Sequence, residues 1–209
     1  MVSAKVTKTK TAKKSKVPDY LVYEMMDGKP IYYRGYREVL NKTKTLEDIM
    51  GSSSLQAVII EYVLGICYAN LDRKIYRLLT NEIGSHLSKK NNLSSDIAIY
   101  EKAVLTADKV NKHYADVPAK LIIEVDTDAD FENIDPNTYI HKKTQKLLDF
   151  GVEKVIWIFT TSQKVMVAER TSDKWYIQNW NHDFELLDDH SFNIAAYLDA
   201  EGIEIEKEL

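Results

Sequence analysis

Residues 121–125 read Leu-Ile-Ile-Glu-Val, and this short run constrains the fold more than any other segment of the chain. A short continuous apolar run is typical of a strand that is covered on both faces in a central sheet. Alternation places Leu121, Ile123 and Val125 on one face of that strand and Ile122 and Glu124 on the other. A carboxylate on an apolar strand is costly unless it is paired or binds a metal. Glu124 therefore predicts an ion pair, an exposed strand end or a metal ligand.

The segments around this strand alternate between helical and extended patterns. One buried helix is predicted from Gln56 to Asn70, and a second begins at Asp135-Pro136 and ends at Phe150, before Gly151. A hairpin is predicted in residues 21–33, a closing helix at 192–198, and strands at 75–80, 83–88, 96–100, 154–160, 164–169 and 175–180. This mixed order predicts an α/β fold with one mixed central sheet flanked by helices.

Length and composition are those of an ordinary soluble globular protein. The 209 residues suit a single domain, predicted at 18–209, after a disordered basic tail at 1–17 that carries six lysines and no acidic residue. That tail is either a solvated extension or a weak contact for phosphates. The formal charge of −4 gives no global basic field, and Cys67 is a lone cysteine in an apolar run. No apolar run is long enough to span a bilayer, so we expect a cytoplasmic protein without a membrane partner.

Asp96 and Lys143 are two further polar residues in positions that favour apolar ones. Asp96 begins the predicted strand at 96–100, which is a common place for aspartate. If that strand is antiparallel to the strand at 121–125, however, Asp96 and Glu124 converge at one point, and two carboxylates suit Mg²⁺ or Mn²⁺. Lys143 falls in the middle of the apolar face of its predicted helix. It is either a lysine that reaches to the surface or an ammonium positioned for a carboxylate or phosphate.

The order and spacing of these motifs resemble the PD-(D/E)XK nuclease superfamily. The matching segments are Ser95–Tyr100, Pro118–Val125, Lys143 ahead of Gly151-Val152, and Ile156-Trp157. More narrowly, residues 18–180 are similar to a bacterial family labelled "putative restriction endonucleases", long known as a domain of unknown function. The segment Glu24–Gly28 is similar to the E-x-x-x-G hairpin near the start of that family.

The chain departs from the family pattern at several positions. Ser95 replaces the motif proline, Leu147 replaces a tyrosine, and Gln56 stands where the family often has histidine. Asp126 occupies the place of the superfamily lysine, for which Lys143 is the candidate substitute.

The resemblance implies a restriction-endonuclease-like fold and a metal-dependent DNA endonuclease. It implies that Asp96, Glu124 and Lys143 are catalytic, and that Asp96, Glu124 and the carbonyl of Val125 bind Mg²⁺ or Mn²⁺. Glu82 is an additional candidate metal ligand, or else a surface glutamate in a turn. Lys143 would orient water or neutralise charge on the phosphate. A homodimer is expected, because two cuts need two sites. The alternative is a nuclease-fold protein that acts as a nucleic-acid-binding or oligomeric scaffold without cutting.

Overall fold

The computed structural model describes residues 17–127, 129–132 and 134–205. The helices are α1 (Tyr36–Leu40), α2 (Ser54–Asn70), α3 (Pro136–Phe150) and α4 (Ile194–Ala200). The strands are β1 (Val22–Met26), β2 (Lys29–Tyr32), β3 (Tyr76–Ser88), β4 (Asn91–Glu101), β5 (Leu121–Val125), β6 (Lys154–Phe159), β7 (Lys164–Glu169), β8 (Tyr176–Asn179), β9 (Phe184–Glu185) and β10 (Ser191–Phe192). Apart from Val17, the basic tail predicted at 1–17 lies outside the described residues.

The central sheet is mixed, and helices cover it. In the described residues it joins eight strands, in the order β2-β1-β4-β5-β6-β7-β8, with β3 paired to β4. Strands β5 and β6 are parallel, with α3 as their connection, whereas the other pairs of this sheet are antiparallel. This architecture confirms the predicted α/β fold class.

The two faces of β5 divide the core as alternation requires. Leu121, Ile123 and Val125 are fully buried in an apolar cluster that includes residues of α2 and α4. Ile122 faces the opposite cluster, which includes residues of α3 and Trp157 of β6. Glu124, which alternates with Val125, therefore points to the side of α3.

Strand β4 pairs with β3 along one edge and with two strands, β1 and β5, along the other. Along the first edge β4 pairs with β3, from Asn91 to Glu101. On the other edge β1 pairs with β4 at Asn92, and β5 pairs only with Ile97–Ile99 of β4. A strand has two edges, so β1 and β5 lie end to end beside β4, and residues 93–96 span the gap between them.

Two details of the sequence-based prediction need correction. Asp96 does not begin its strand but lies in the middle of β4, because the polar residues before it form the arm of a long hairpin with β3. The two strands predicted at 75–80 and 83–88 are one strand, β3. It has a register shift between Thr80 and Ile83, where Asn81 and Glu82 adopt positive φ angles of 71° and 53°. Such a bulge bends the strand without ending its pairing.

Within the described residues, no helix is both long and apolar enough to cross a membrane.

Candidate active site

Two carboxylates fill the gap between β1 and β5 by accepting hydrogen bonds from backbone groups. Glu24 Oε1, on β1, accepts from the backbone N–H of Ser94 at 2.9 Å. Asp96 Oδ2, on β4, accepts from the backbone N–H of Val125 at 2.7 Å. These bonds fix the orientation of both carboxylates, since each is anchored to a strand other than its own.

Asp96 and Glu124 are brought together as the sequence predicted. In the antiparallel register of β4 and β5, Ile97 lies opposite Ile123, which places Asp96 opposite Glu124 and on the same face of the sheet. Glu124 is 2% exposed, so the hypothesis of an exposed strand end is wrong. Burial of a carboxylate at this depth requires a compensating charge.

Lys143 supplies that charge from α3. Its Nζ lies 2.8 Å from Glu24 Oε1 and 3.0 Å from Glu124 Oε1. The lysine is 0% exposed, so it does not reach the surface; it is an ammonium positioned between two carboxylates. It also lies over the rings of Trp157 and Tyr139, at 5.4 Å and 5.9 Å from the ring centroids, where cation–π attraction favours the ammonium.

The ends of α3 fix the position of Lys143 along the helix axis. The Asp135 side chain caps the helix by accepting from the backbone N–H of Thr138 at 2.8 Å, and Pro136 occupies the first turn. Gly151 ends the helix with a φ of 118°, a conformation that glycine adopts without strain. The helix also supplies Tyr139, whose hydroxyl donates to Glu24 Oε2 at 2.7 Å.

The electrostatics of this cluster are dominated by burial. Burial raises the pKa of Glu124 to about 8. The attraction of Lys143 lowers this pKa, whereas repulsion from Asp96 and Glu24 raises it. Burial alone would lower the pKa of Lys143, but the attraction of Glu124 and Glu24 outweighs it and holds that pKa well above its usual value. The ammonium therefore persists. Lys143 thus balances two buried carboxylates, Glu24 and Glu124, and Asp96 lies close enough to act on the pKa of Glu124.

A cavity of about 220 Å³ opens beside the cluster. Asp96, Val125 and Glu82 line it, so the predicted metal ligands other than Glu124 border one space. Gln56, at the start of α2, also lines this cavity and donates from Nε2 to the carbonyl oxygen of Val125 at 2.8 Å. Glu82 reaches the rim because the bulge in β3 exposes it.

The donor set fits a hard divalent cation. Mg²⁺ prefers oxygen ligands and keeps several waters, so one or two carboxylates suffice to hold it. In the described residues, no three Asp, Glu, His or Cys side chains form a preformed cage. Asp96 and Glu124 instead provide two carboxylates opposite each other on one face of the sheet, and Val125, next to Glu124, provides a backbone oxygen beside the cavity. That combination suits an ion that remains partly hydrated.

Sequence reasoning did not identify Glu24 and Tyr139 as members of the site. Glu24 was noted only within a hairpin motif, yet it shares a strand face with buried Met26, as Glu124 does with Ile122. Strand alternation therefore marks Glu24 as a buried carboxylate, although it does not specify Lys143 as its partner. Asp126, in the place of the superfamily lysine, turns away with a φ of 56°, and its carboxylate accepts from the backbone N–H and hydroxyl of Thr160 at 2.8 Å and 2.5 Å.

Comparison with known proteins identifies a similar fold. No family model and no curated protein sequence matches the chain. The chain is similar to a crystal structure from Anabaena variabilis described as a "putative nuclease belonging to DUF820". The TM-score is 0.58 at 11% sequence identity, over 84% of this chain and 89% of the other. This chain has a nuclease-like fold. The low identity restricts the likeness to the fold, so the chemistry of the site has to be argued from its own residues.

Proposed function

We propose that this chain is a metal-dependent nuclease that hydrolyses phosphodiester bonds in DNA. The observation that carries the proposal is the juxtaposition of Asp96 with Glu124. Glu124 is a buried carboxylate paired with Lys143, and Asp96 lines the adjacent cavity. The nuclease-like fold supports the same conclusion.

In this proposal Asp96, Glu124 and the carbonyl of Val125 hold Mg²⁺ or Mn²⁺, with Glu82 on the rim as a further candidate ligand. When bound, such an ion makes water a better nucleophile and offsets negative charge on the phosphate. The protein contributes orientation: the N–H of Val125 fixes Asp96, and Gln56 fixes the Val125 carbonyl. Hydrogen bonds to the ligands of a metal ion tune the properties of its site.

The direct effect of Lys143 is to position the carboxylate of Glu124. Its contacts with Glu124 and Glu24 hold the Glu124 carboxylate in place and favour its ionised form. The further role predicted for Lys143, to orient water or neutralise the phosphate, requires the ammonium to act from a fully buried position. Low polarity around a buried charge strengthens its field, so this role does not need exposure to bulk water.

Plasmid cleavage by the purified chain tests the proposal. We expect nicking of supercoiled DNA in Mg²⁺ or Mn²⁺, none in EDTA, and its loss in Asp96→Asn, Glu124→Gln and Lys143→Met. The matched control is Lys142→Met, an exposed lysine adjacent to Lys143 on the same helix. Nicking that persists in the three site variants would show that the activity is not generated here.

Metal binding separates the nuclease from the scaffold alternative. At Mn²⁺ concentrations near 100 times Kd, binding to the folded state stabilises it by about 2.7 kcal/mol. We expect such stabilisation in thermal unfolding and its loss in Asp96→Asn. An absence of both cleavage and Mn²⁺ stabilisation in folded protein would favour the scaffold. Size-exclusion chromatography with light scattering tests the homodimer, which is part of this proposal.

A further inference from the structure

A second and larger cleft adjoins the carboxylate cavity. Its volume is about 970 Å³, within the range of ligand-binding pockets. The two spaces share four lining residues, Ser52, Gln56, Asp126 and Thr127. The cleft is therefore continuous with the site proposed to cut DNA, and a polymer held in it would extend from that site.

Four aromatic rings form an arc between the cleft and Lys143. Phe131 packs against Tyr139 at 5.6 Å, Tyr139 against Trp157 at 6.4 Å, and Trp157 is stacked on Phe159 at 6.1 Å. The middle rings are fully buried, whereas the end rings, Phe131 and Phe159, are partly exposed and line the cleft. Because buried rings support them, the two end rings are preorganised surfaces for stacking.

The charge of the lining changes sign along this continuous space. Among the described residues, the charged side chains that line the carboxylate cavity are Glu82, Asp96 and Asp126. In the same part of the chain, the charged side chains that line the cleft are Arg34, Lys164 and Asp126. Arg34 donates a hydrogen bond to the carbonyl of Thr127, which anchors it where the two spaces meet. Cations and aromatic rings that line one cleft are the components of a site for a single nucleic-acid strand.

We propose that this cleft binds an unpaired segment of DNA, with bases stacked on Phe131 and Phe159 and phosphates near Arg34 and Lys164. The inference rests on the proposed nuclease function and specifies its substrate as single-stranded or locally unpaired DNA. A base within a duplex has both faces covered by its neighbours, so only an unpaired base can stack on a ring. The formal charge of −4 also gives the chain no net positive charge of the kind that favours duplex binding.

Binding of a labelled 12-nucleotide oligothymidylate, compared with a 12-base-pair duplex, tests this inference. Fluorescence anisotropy in EDTA and in Ca²⁺ measures affinity without relying on cleavage. We expect tighter binding of the single strand in at least one of these conditions. Tighter binding of the duplex, or no binding of the single strand in either condition, would overturn the inference.

The contribution of stacking is measured with Phe159→Ala and Phe131→Leu. Each should weaken single-strand binding about 10-fold, which lies within the usual effect of removing one stacking ring. Phe159→Leu keeps apolar volume against Trp157 but removes the ring, so it should still weaken binding if Phe159→Ala does not fold. The control is Tyr68→Ala, which removes a ring of α2 that is 49% exposed and lies outside the cleft. Equal affinities in all these variants would refute the stacking role.

Salt dependence distinguishes the cleft from a diffuse basic surface. Two phosphate contacts on a single strand predict a roughly seven-fold loss of affinity between about 50 and 200 mM salt. A loss of about a thousand-fold would require many more phosphate contacts and would overturn the assignment to this cleft.

The outcome is separable from that of the proposed function. Unchanged binding in Phe159→Ala with intact nicking would refute the cleft alone. Single-strand binding without metal-dependent nicking would refute the nuclease alone.

Discussion

Substitution Lys143→Met removes the buried ammonium and leaves the side-chain length largely unchanged. Methionine retains apolar contact with Tyr139 and Trp157, so the variant creates little cavity. What it removes is the charge that balances Glu24 at 2.8 Å and Glu124 at 3.0 Å. Both carboxylates are almost completely buried, so water cannot replace the ammonium. The variant therefore isolates the electrostatic contribution of Lys143 to the free energy of unfolding.

The expected loss is about 3–5 kcal/mol at pH 7, the usual result of removing one partner from a buried ion pair. This is a large part of the roughly 5–15 kcal/mol that stabilises a typical domain. The matched surface pair is Lys146–Asp27, at 2.5 Å and with both side chains partly exposed. For Lys146→Met we expect a loss below about 1 kcal/mol, because solvent screens that pair.

Urea unfolding followed by near-ultraviolet circular dichroism measures both losses. The double variant Lys143→Met with Glu24→Gln should recover about 1–3 kcal/mol relative to Lys143→Met, because it removes a buried carboxylate that has lost its ammonium. The glutamine side-chain oxygen can still accept from the N–H of Ser94, and its amide nitrogen can donate to the Tyr139 hydroxyl oxygen. A loss in Lys143→Met no larger than that in Lys146→Met, with no recovery in the double variant, would refute the argument that Lys143 balances these carboxylates.

Three further predictions follow from the same contacts. The pKa of Glu124 is about 8 in the folded protein, above its ordinary value of 4.5, so the folded state binds the extra proton. Without metal, the resulting contribution to stability is present below pH 4.5 and is lost as the pH rises towards 8. Urea unfolding in EDTA should show this decrease in the free energy of unfolding with pH, and Glu124→Gln should reduce it. An identical pH dependence in that variant would show that Glu124 is not its cause. Gln56→Leu should cost about 1–3 kcal/mol in thermal unfolding because the Val125 carbonyl loses its buried donor, whereas a neutral result would show that water replaces it. Asp135→Ala should cost about 0.5–2 kcal/mol by removing the cap of α3, and Asp135→Asn should retain most of that stability; equal losses in both would exclude capping as the cause.

The pairing of Asp96 with Glu124 could be predicted because it depends on local patterns. Alternation fixed the face of Glu124, and a polar connection at residues 101–117 allowed the two strands to be antiparallel neighbours. The observed register, with Ile97 opposite Ile123, confirms both steps. The inward face of Lys143 was also predictable, because helical periodicity places it among apolar residues and the structure buries it completely.

The partner of Lys143 could not be deduced in the same way. Glu24 lies on β1, which contacts β4 at Met25 and Asn92, and nothing in the local sequence specifies that long-range pairing. The start of β4 was missed for a related reason. Residues 91–96 are polar apart from Leu93 and have little intrinsic preference for a strand, but pairing with β3 along a full edge holds them in one. Tertiary context decided both features.

The gap between β1 and β5 explains why the acids of this site differ in their roles. A continuous ladder would satisfy the N–H groups of Ser94 and Val125 through backbone carbonyls, but here the carboxylates of Glu24 and Asp96 accept from them. Those two acids therefore complete the sheet as well as contributing charge. Glu124 has no such backbone donor among the described residues and is held by Lys143 alone. Burial is the main cause of its raised pKa, so a cation bound beside it would favour its ionised form.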